Sequence, residues 1–182
     1  MTSAELRELR ADPFAILAAI EARLQTERGG DESRAQNWTG LGFRLGAHWF
    51  VAPRDDVREV IAPPVATRVP NAQAWLSGLA NVRGELLAIA DLSRYFALPP
   101  SADPRSRRVL VLNSRHVPAG LLVDEIAGYR QFAATEQRNE MKTELPEFAP
   151  YLLGAFVRDG QPWYAFSLHK LASSEGFRAA AL

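Results

Sequence analysis

Short runs of alternating apolar and polar residues dominate most of the chain. In the first of them, Leu41, Phe43 and Leu45 alternate with small or polar residues, the period-two pattern of a strand with one buried face. Gly46-Ala47 predicts a turn, and residues 48–52 predict a second strand running back along the first. The pattern therefore begins as a strand pair rather than as a helix.

Similar strand signals recur towards the C-terminus. Residues 108–112 and 117–124 are apolar almost throughout, as buried strands are. Residues 154–158 and 161–166 flank Asp159-Gly160, a pair that readily adopts the positive φ angles of a hairpin turn. Many short strands joined by Gly, Pro, Asn and Asp predict an all-β fold with short helices, closer to a barrel than to an open sheet.

Four segments have a different pattern. Residues 55–61 fit either a helical turn or a strand. Residues 92–98, with Asp91 as a capping residue, and residues 167–173 predict short helices. Residues 133–149 are polar, mixed in charge and contain a proline, so we expect a long connection there.

The stretch from Thr67 to Leu92 combines several of these signals. An extended lead-in meets Asn71, whose side chain can cap a helix, and we predict a helical turn there. That turn would bury the apolar side chains that follow it, Trp75, Leu76 and Leu79. A packed turn of this kind would separate the lead-in from the strand that follows.

A tight turn at residues 81–84 then leads into an apolar strand at residues 86–90. Arg83 in this turn is a cation held beside a glycine, an arrangement suited to recognition. It could equally form an internal ion pair, with Asp91 or Glu59 as the partner. The residues alone leave both interpretations open.

The first 36 residues differ from the rest. Asp12-Pro13 is typical of a helix start, and Arg28-Gly29-Gly30-Asp31 of a helix end. Between them one helical face is apolar, and it could pack on the domain or dock on a partner: Phe14, Leu17, Ile20 and Leu24. We therefore predict a helical extension and linker over 1–36, a domain of two lobes over 37–178 and a frayed tail over 179–182.

Composition narrows the class of protein. Hydrophobic residues make up 47% of the chain, enough for a core, and 21 basic residues balance 21 acidic ones, which argues against a dedicated nucleic-acid binder. Cysteine is absent, so disulfides and thiolate metal sites are excluded. The first ten residues lack the apolar core of a signal peptide, and no apolar run approaches a membrane span. We expect a soluble, cytoplasmic protein with no membrane insertion.

The residues that could carry catalysis are scattered. His48, His116 and His169 lie far apart and belong to no metal-binding motif, and neither a nucleophile elbow nor a phosphate-binding loop occurs. We therefore predict no enzyme activity, no metal and no cofactor. The basic run at residues 105–108 leaves a nucleic-acid-binding small β-barrel as an alternative, although no aromatic residues interleave with it. A small hydrolase is a further alternative, but it lacks a nucleophile–base pair.

Seven motifs in fixed order resemble the CheW family, the adaptor domain of bacterial chemosensory arrays. They are F-R-L-G-A-H-W-F-V-A-P (43–53), V-R-E-V-I (57–61), T-R-V-P-N-A (67–72), W-L-S-G-L-A-N-V-R-G (75–84), L-L-A-I-A-D-L (86–92), A-G-L-L-V-D-E-I (119–126) and Y-L-L-G-A-F-V-R-D-G-Q-P-W (151–163). The resemblance covers residues 38–177. The N-terminal helix and the first motif are most similar to the PilI-type branch, which serves type IV pilus twitching motility.

The resemblance implies a fold of two five-stranded SH3-like β-barrels that share an apolar seam. It also implies a non-enzymatic signal-transduction adaptor. Its partners would be the cytoplasmic tip of a chemoreceptor and the regulatory domain of a CheA-type histidine kinase, with possible ring assembly alongside the kinase. A coupling protein of a flagellar chemotaxis array is the alternative within the same family.

The family pattern also implies which residues meet the partners. A receptor groove would include Val57, Glu59, Gly78, Arg83 and Gly84, with a far wall from Val123 to Ile126. Thr67 and Arg68 are weaker candidates for contact with the kinase. Family members often carry proline where this chain has Ala88, a departure that should alter the strand slightly.

Overall fold

The computed structural model describes residues 37–100 and 103–180, and most of the regular structure in them is β. The predicted helical extension over 1–36 and the last two residues of the predicted tail lie outside the described residues. Ten strands form two five-stranded sheets. In the described residues the α-helices are α1 (Leu92–Tyr95), α2 (Leu168–Ser173) and α3 (Glu175–Arg178), and short 3-10 turns cover Arg54–Asp56, Pro104–Ser106, Ala134–Glu136, Asn139–Glu144 and Ala149–Tyr151.

Each sheet forms one lobe. The first lobe has the strand order β8-β1-β2-β10-β9 and consists of β1 (Trp38–Leu45), β2 (His48–Pro53), β8 (Glu125–Phe132), β9 (Leu152–Arg158) and β10 (Gln161–Phe166). The second lobe has the order β3-β6-β7-β5-β4 and consists of β3 (Val57–Ile61), β4 (Leu76–Val82), β5 (Glu85–Asp91), β6 (Arg108–Leu112) and β7 (Ala119–Val123). The second lobe is therefore inserted between β2 and β8 of the first.

Side chains connect elements near opposite ends of the hydrogen-bonded strand order in each sheet, which shows that both sheets are rolled. In the second lobe, Arg58 of β3 forms an ion pair of 2.7 Å with Glu85, in the hairpin that carries the far edge. In the first lobe, the Arg158 guanidinium in β9 donates to the backbone carbonyl of Gln131 in β8. The predicted all-β fold of two five-stranded lobes is confirmed.

Three apolar clusters follow from the two-residue period of the strands. One face of each sheet packs into a seam between the lobes, where Phe43 and Phe50 of the first lobe share a cluster with Leu110 and Leu121 of the second. All four side chains are fully buried. The opposite faces fill the two lobes separately, with aliphatic residues inside the second and mainly aromatic residues inside the first. The shared seam joins the lobes into one unit.

The strand predictions from alternation are confirmed with small shifts of boundary. The ambiguous segment 55–61 contains both expected conformations, since the 3-10 turn Arg54–Asp56 runs directly into β3. The predicted hairpin around Asp159-Gly160 joins β9 to β10, with φ angles of +51° and +75° at those two residues. Asp91 caps α1, as expected, by accepting a hydrogen bond of 3.2 Å from the Arg94 backbone N–H.

Two predictions for strands and helices fail. The helical turn predicted after Asn71 is wrong, because Leu76–Val82 forms β4, which pairs along its length with β5. Here strand pairing outweighs a local spacing of apolar residues that resembles a helix. The strand β8 was missed, because its pattern is interrupted at Gly128, where φ is +76° and the register with β1 shifts nearby.

The polar connection at residues 133–149 is fastened to the first lobe at several points. Glu136 pairs with Arg158 of β9 at 2.6 Å, and the Arg138 backbone N–H donates to the Ala155 carbonyl at 2.8 Å. The hydrogen bond to Arg158 lowers the pKa of Glu136 to about 2. Tyr164 of β10 donates its hydroxyl to Glu144 at 2.9 Å. The connection therefore follows a defined path.

We expect Tyr164 to ionise later than an exposed tyrosine. Burial, together with the hydrogen bond to Glu144, raises the pKa of Tyr164 to about 12. The folded state therefore holds the phenol proton more tightly than the unfolded chain, so the contact stabilises the domain below about pH 10 and weakens as pH rises towards 12. Ultraviolet titration of the wild type against Tyr164→Phe should show loss of the late component. Loss of a component near pH 10 would contradict the assignment.

Candidate partner-binding site

Arg83 lies at the tip of the β4–β5 hairpin. Arg83 and Gly84 have φ angles of +53° and +87°, as a two-residue hairpin turn requires, and the Gly84 backbone N–H donates to the Asn81 side chain at 2.8 Å. The Arg83 side chain is 80% exposed and forms an ion pair of 3.1 Å with Glu59 of β3. Of the two internal partners left open by the sequence, Glu59 is the one observed.

A second ion pair lies beside the first. Arg58 and Glu85 meet at 2.7 Å, and together with Glu59, Arg83 and Val82 they line a shallow surface depression of about 340 Å³. Exposed ion pairs of this kind contribute only about 0–1 kcal/mol to stability. The two ion pairs are therefore not the main support of the hairpin.

Asp91, the other proposed partner of Arg83, is committed elsewhere. It is only 3% exposed and pairs with Arg107 at 2.7 Å and with Arg94 at 3.7 Å. Its backbone N–H donates to the Trp75 carbonyl at 2.8 Å. Asp91 therefore belongs to the interior of the domain, at the start of α1.

Gly78 and Thr67 are in direct contact. The backbones of Thr67 and Leu79 exchange two hydrogen bonds of 2.8 Å, which place the segment carrying Thr67 and Arg68 along the outer edge of β4. Gly78 has a φ of +140°, and a Cβ there would collide with the carbonyl oxygen of Thr67 and lie 2.7 Å from its carbonyl carbon. The structure thus brings a predicted receptor-groove residue together with the two predicted kinase residues, Thr67 and Arg68, both of which are exposed.

The remaining candidates lie at the seam between the lobes. Val57 is 8% exposed and Val123 is fully buried, and both belong to the seam cluster. Ile126, in β8, is half-buried and packs against the same cluster. We therefore expect Val123 to support the groove wall from behind rather than to touch a partner.

An exposed tyrosine on β8 was missed by the sequence reasoning. Tyr129 is 58% exposed, and the guanidinium of Arg54 lies 5.7 Å from its ring centre. Arg54 belongs to the 3-10 turn that leads from the first lobe into β3. Tyr129 could have been identified from the sequence as an exposed aromatic residue only if β8 had first been predicted as a strand.

His169 lies beside a carboxylate that has a structural role. His169 Nε2 lies 3.7 Å from Asp56, and the same carboxylate accepts a hydrogen bond of 2.8 Å from the Leu168 backbone N–H at the start of α2. Within residues 37–100 and 103–180, no group of three metal-ligating side chains could hold an ion. In the same ranges, no helix is long and apolar enough to cross a membrane.

A model of the CheW-like domain family matches residues 39–176. The chain belongs to the CheW family. It is 38% identical over 168 residues to Protein PilI of Pseudomonas aeruginosa, covering 91% of this chain and 94% of that protein. It is 28% identical over 140 residues to chemotaxis protein CheW of Klebsiella aerogenes, covering 74% and 81%. These findings confirm the family resemblance read from the motifs.

The CheW fold is also found by structural comparison. The scaffolding protein TtCheW of Thermoanaerobacter tengcongensis superposes with a TM-score of 0.65 at 19% identity, covering 78% of this chain and 96% of that one. At Ala88, where CheW proteins often carry proline, the backbone N–H donates to the Pro118 carbonyl at 3.0 Å. Proline has no N–H to donate, so alanine adds a hydrogen bond to β5. CheW-family proteins are adaptors rather than enzymes.

Proposed function

We propose that this CheW-family protein couples a chemoreceptor to a CheA-type histidine kinase in the chemosensory system that controls type IV pili. The 38% identity to Protein PilI over 91% of the chain favours the pilus system over a flagellar one. No chemical step is assigned to the adaptor. It would hold the two partners in register, so that the conformation of the receptor biases the activity of the kinase.

The rigid, exposed presentation of Arg83 is the observation that supports the receptor part of the proposal. Its side chain is 80% exposed, while the turn that presents it is fixed by positive φ angles and by the Asn81 side chain. Arginine is enriched among the interface residues that dominate binding energy. A carboxylate on the helical tip of a receptor could compete with Glu59 for the guanidinium, because an exposed ion pair costs little to exchange.

The kinase part of the proposal rests on the second lobe alone. Thr67 and Arg68 are exposed beside β4, and two backbone hydrogen bonds between Thr67 and Leu79 hold this segment in place. A kinase regulatory domain with the same fold could therefore pack lobe against lobe at this edge. Association with membrane-bound receptor arrays would then follow from the partners, not from a membrane segment of the described chain.

Separate pull-downs with the two partners test the proposal. The full-length protein should capture the cytoplasmic tip of a pilus-system receptor and, independently, the regulatory domain of its kinase. Flagellar receptor and kinase fragments from the same organism are the matched controls, and preferential capture of those would favour the alternative of a flagellar array. Failure to bind any of the four fragments would overturn the adaptor function. A low-salt gel shift with a steep salt dependence would instead support the nucleic-acid-binding barrel.

A further inference from the structure

Asp124 lies where the chain crosses from the second lobe back to the first, between β7 and β8. Its side chain is fully buried. One carboxylate oxygen, Oδ2, accepts a hydrogen bond of 2.8 Å from the Gly46 backbone N–H, in the β1–β2 turn of the first lobe. The other, Oδ1, accepts a hydrogen bond of 3.0 Å from the Ser93 hydroxyl, in α1 beside the second lobe. A single buried carboxylate therefore bonds to both lobes.

Arg107 extends the contacts of Asp124 on the side of the second lobe. Its terminal nitrogen donates to Asp91 at 2.7 Å, and its Nε lies 3.9 Å from Asp124 Oδ1. That Nε is buried and forms no hydrogen bond. The guanidinium thus lies between two buried carboxylates, and it compensates the charge of Asp124 without a direct hydrogen bond from Nε.

Joining two lobes through a buried charge has a high desolvation cost. Removing a carboxylate from water is energetically costly, and well-packed apolar residues often stabilise such a site equally well. The seam cluster consists of apolar residues, and apolar surfaces can slide against each other because their attraction has no direction. Hydrogen bonds from two lobes to one carboxylate are directional, so they specify the angle between the lobes.

The position of Asp124 links this angle to the candidate groove. Asp124 lies between Val123 and Ile126, the two ends of the predicted far wall. Its backbone N–H donates to the Arg44 carbonyl at 3.0 Å, and the Arg44 side chain pairs with Glu125 at 2.9 Å. The wall and the lobe junction are therefore parts of one bonded unit.

We propose that Asp124 is a positioning residue that fixes the relative orientation of the two lobes and thereby the shape of the receptor groove between them. The inference about the groove rests on the proposed adaptor function. A partner that contacts both lobes depends on Asp124. A partner that contacts only the second lobe, as the kinase domain would at Thr67 and Arg68, does not depend on Asp124.

The variants Asp124→Asn and Ser93→Ala test the proposal. The asparagine keeps the shape but replaces one acceptor with a donor, and the alanine removes the second-lobe hydrogen bond alone. Asp159→Asn makes the same chemical change at an exposed hairpin position and is the control. Because the chain has no cysteine, spin labels can be attached at cysteines introduced for Arg115 in the second lobe and Gln161 in the first, both exposed.

Pulsed electron paramagnetic resonance should show a shifted or broader distribution of interlobe distances in both test variants. The distribution should be unchanged in Asp159→Asn. Affinity for the receptor tip should fall about tenfold in the test variants, while affinity for the kinase domain stays within about twofold. Unchanged distances in the folded variants would overturn the positioning role. If Asp124→Asn does not fold, the interlobe distance in Ser93→Ala decides whether the positioning role holds. If the wild type binds no receptor tip, the adaptor function fails, whereas the spin-label distances still decide the role of Asp124.

Discussion

Replacing Gly78 with alanine is expected to destabilise the domain by about 3 kcal/mol or more. Two costs combine, the strain of a side chain at a φ of +140° and the collision of the new Cβ with the Thr67 carbonyl. The obstacle is backbone that is itself held by two hydrogen bonds to Leu79, so it cannot rotate away as a side chain would. Urea unfolding followed by circular dichroism measures the loss.

Gly84→Ala is the matched control for this prediction. Gly84 also has a positive φ, +87°, but a Cβ there would meet nothing within 4 Å. Its replacement should cost only the conformational strain, about 1 kcal/mol. Equal losses for the two variants would show that contact with Thr67 is unimportant. A larger loss at Gly78 would show that its close contact with Thr67 is needed for the stability of this edge.

Arg83→Glu is expected to leave the domain folded and to weaken binding of the receptor tip by about 2 kcal/mol or more, roughly thirtyfold. The fold should survive because the side chain is 80% exposed and its ion pair with Glu59 contributes little. Isothermal calorimetry with the receptor tip and a thermal melt would measure both effects. Unfolding of the variant would instead make Arg83 structural and overturn its assignment to the site.

A charge swap separates the two roles that the sequence left open for Arg83. The double variant Glu59→Arg with Arg83→Glu restores an ion pair between β3 and the hairpin but reverses its direction. If the guanidinium at residue 83 meets carboxylates of the receptor, the swap should not restore binding. Recovery of binding in the swap would mean that the internal ion pair is what matters. Arg115→Glu, at an exposed position outside the depression that Arg83 lines, is the control for a general change of surface charge.

Alternation and turn residues were enough to predict the strands of two hairpins. The pairs β1–β2 and β9–β10 are contiguous in sequence, and their turns contain Gly46 and Gly160, both with positive φ. Local signals failed where pairing with a distant segment decides the conformation. The spacing of Trp75, Leu76 and Leu79 resembles a helix, but hydrogen bonds to β5 and to Thr67 hold the segment extended.

The sequence named candidate residues for the site, but it left their contacts open, with Asp91 and Glu59 as alternative partners for Arg83. Glu59 reaches Arg83 only because the second sheet rolls and brings β3 to the β4–β5 hairpin, which no local pattern reveals. The depth of Val123 depends on the packing of both lobes. The double attachment of Asp124 likewise requires Gly46 and Ser93 to converge from different lobes, which the sequence around Asp124 does not reveal.

The insertion of the second lobe between β2 and β8 has a consequence for synthesis on the ribosome. The strands β3 to β7 emerge consecutively, so the second lobe can assemble as soon as residue 123 is free. The hairpin of β1 and β2, made earlier, must wait for β8 to β10, which at about 5–20 residues per second takes several seconds. During that delay its inner face, which includes Trp38 and Val51, lacks the residues of β8 to β10 that pack against it in the folded lobe: Phe132, Phe156 and Trp163. A nascent chain interrupted in that interval would be a natural client for chaperones.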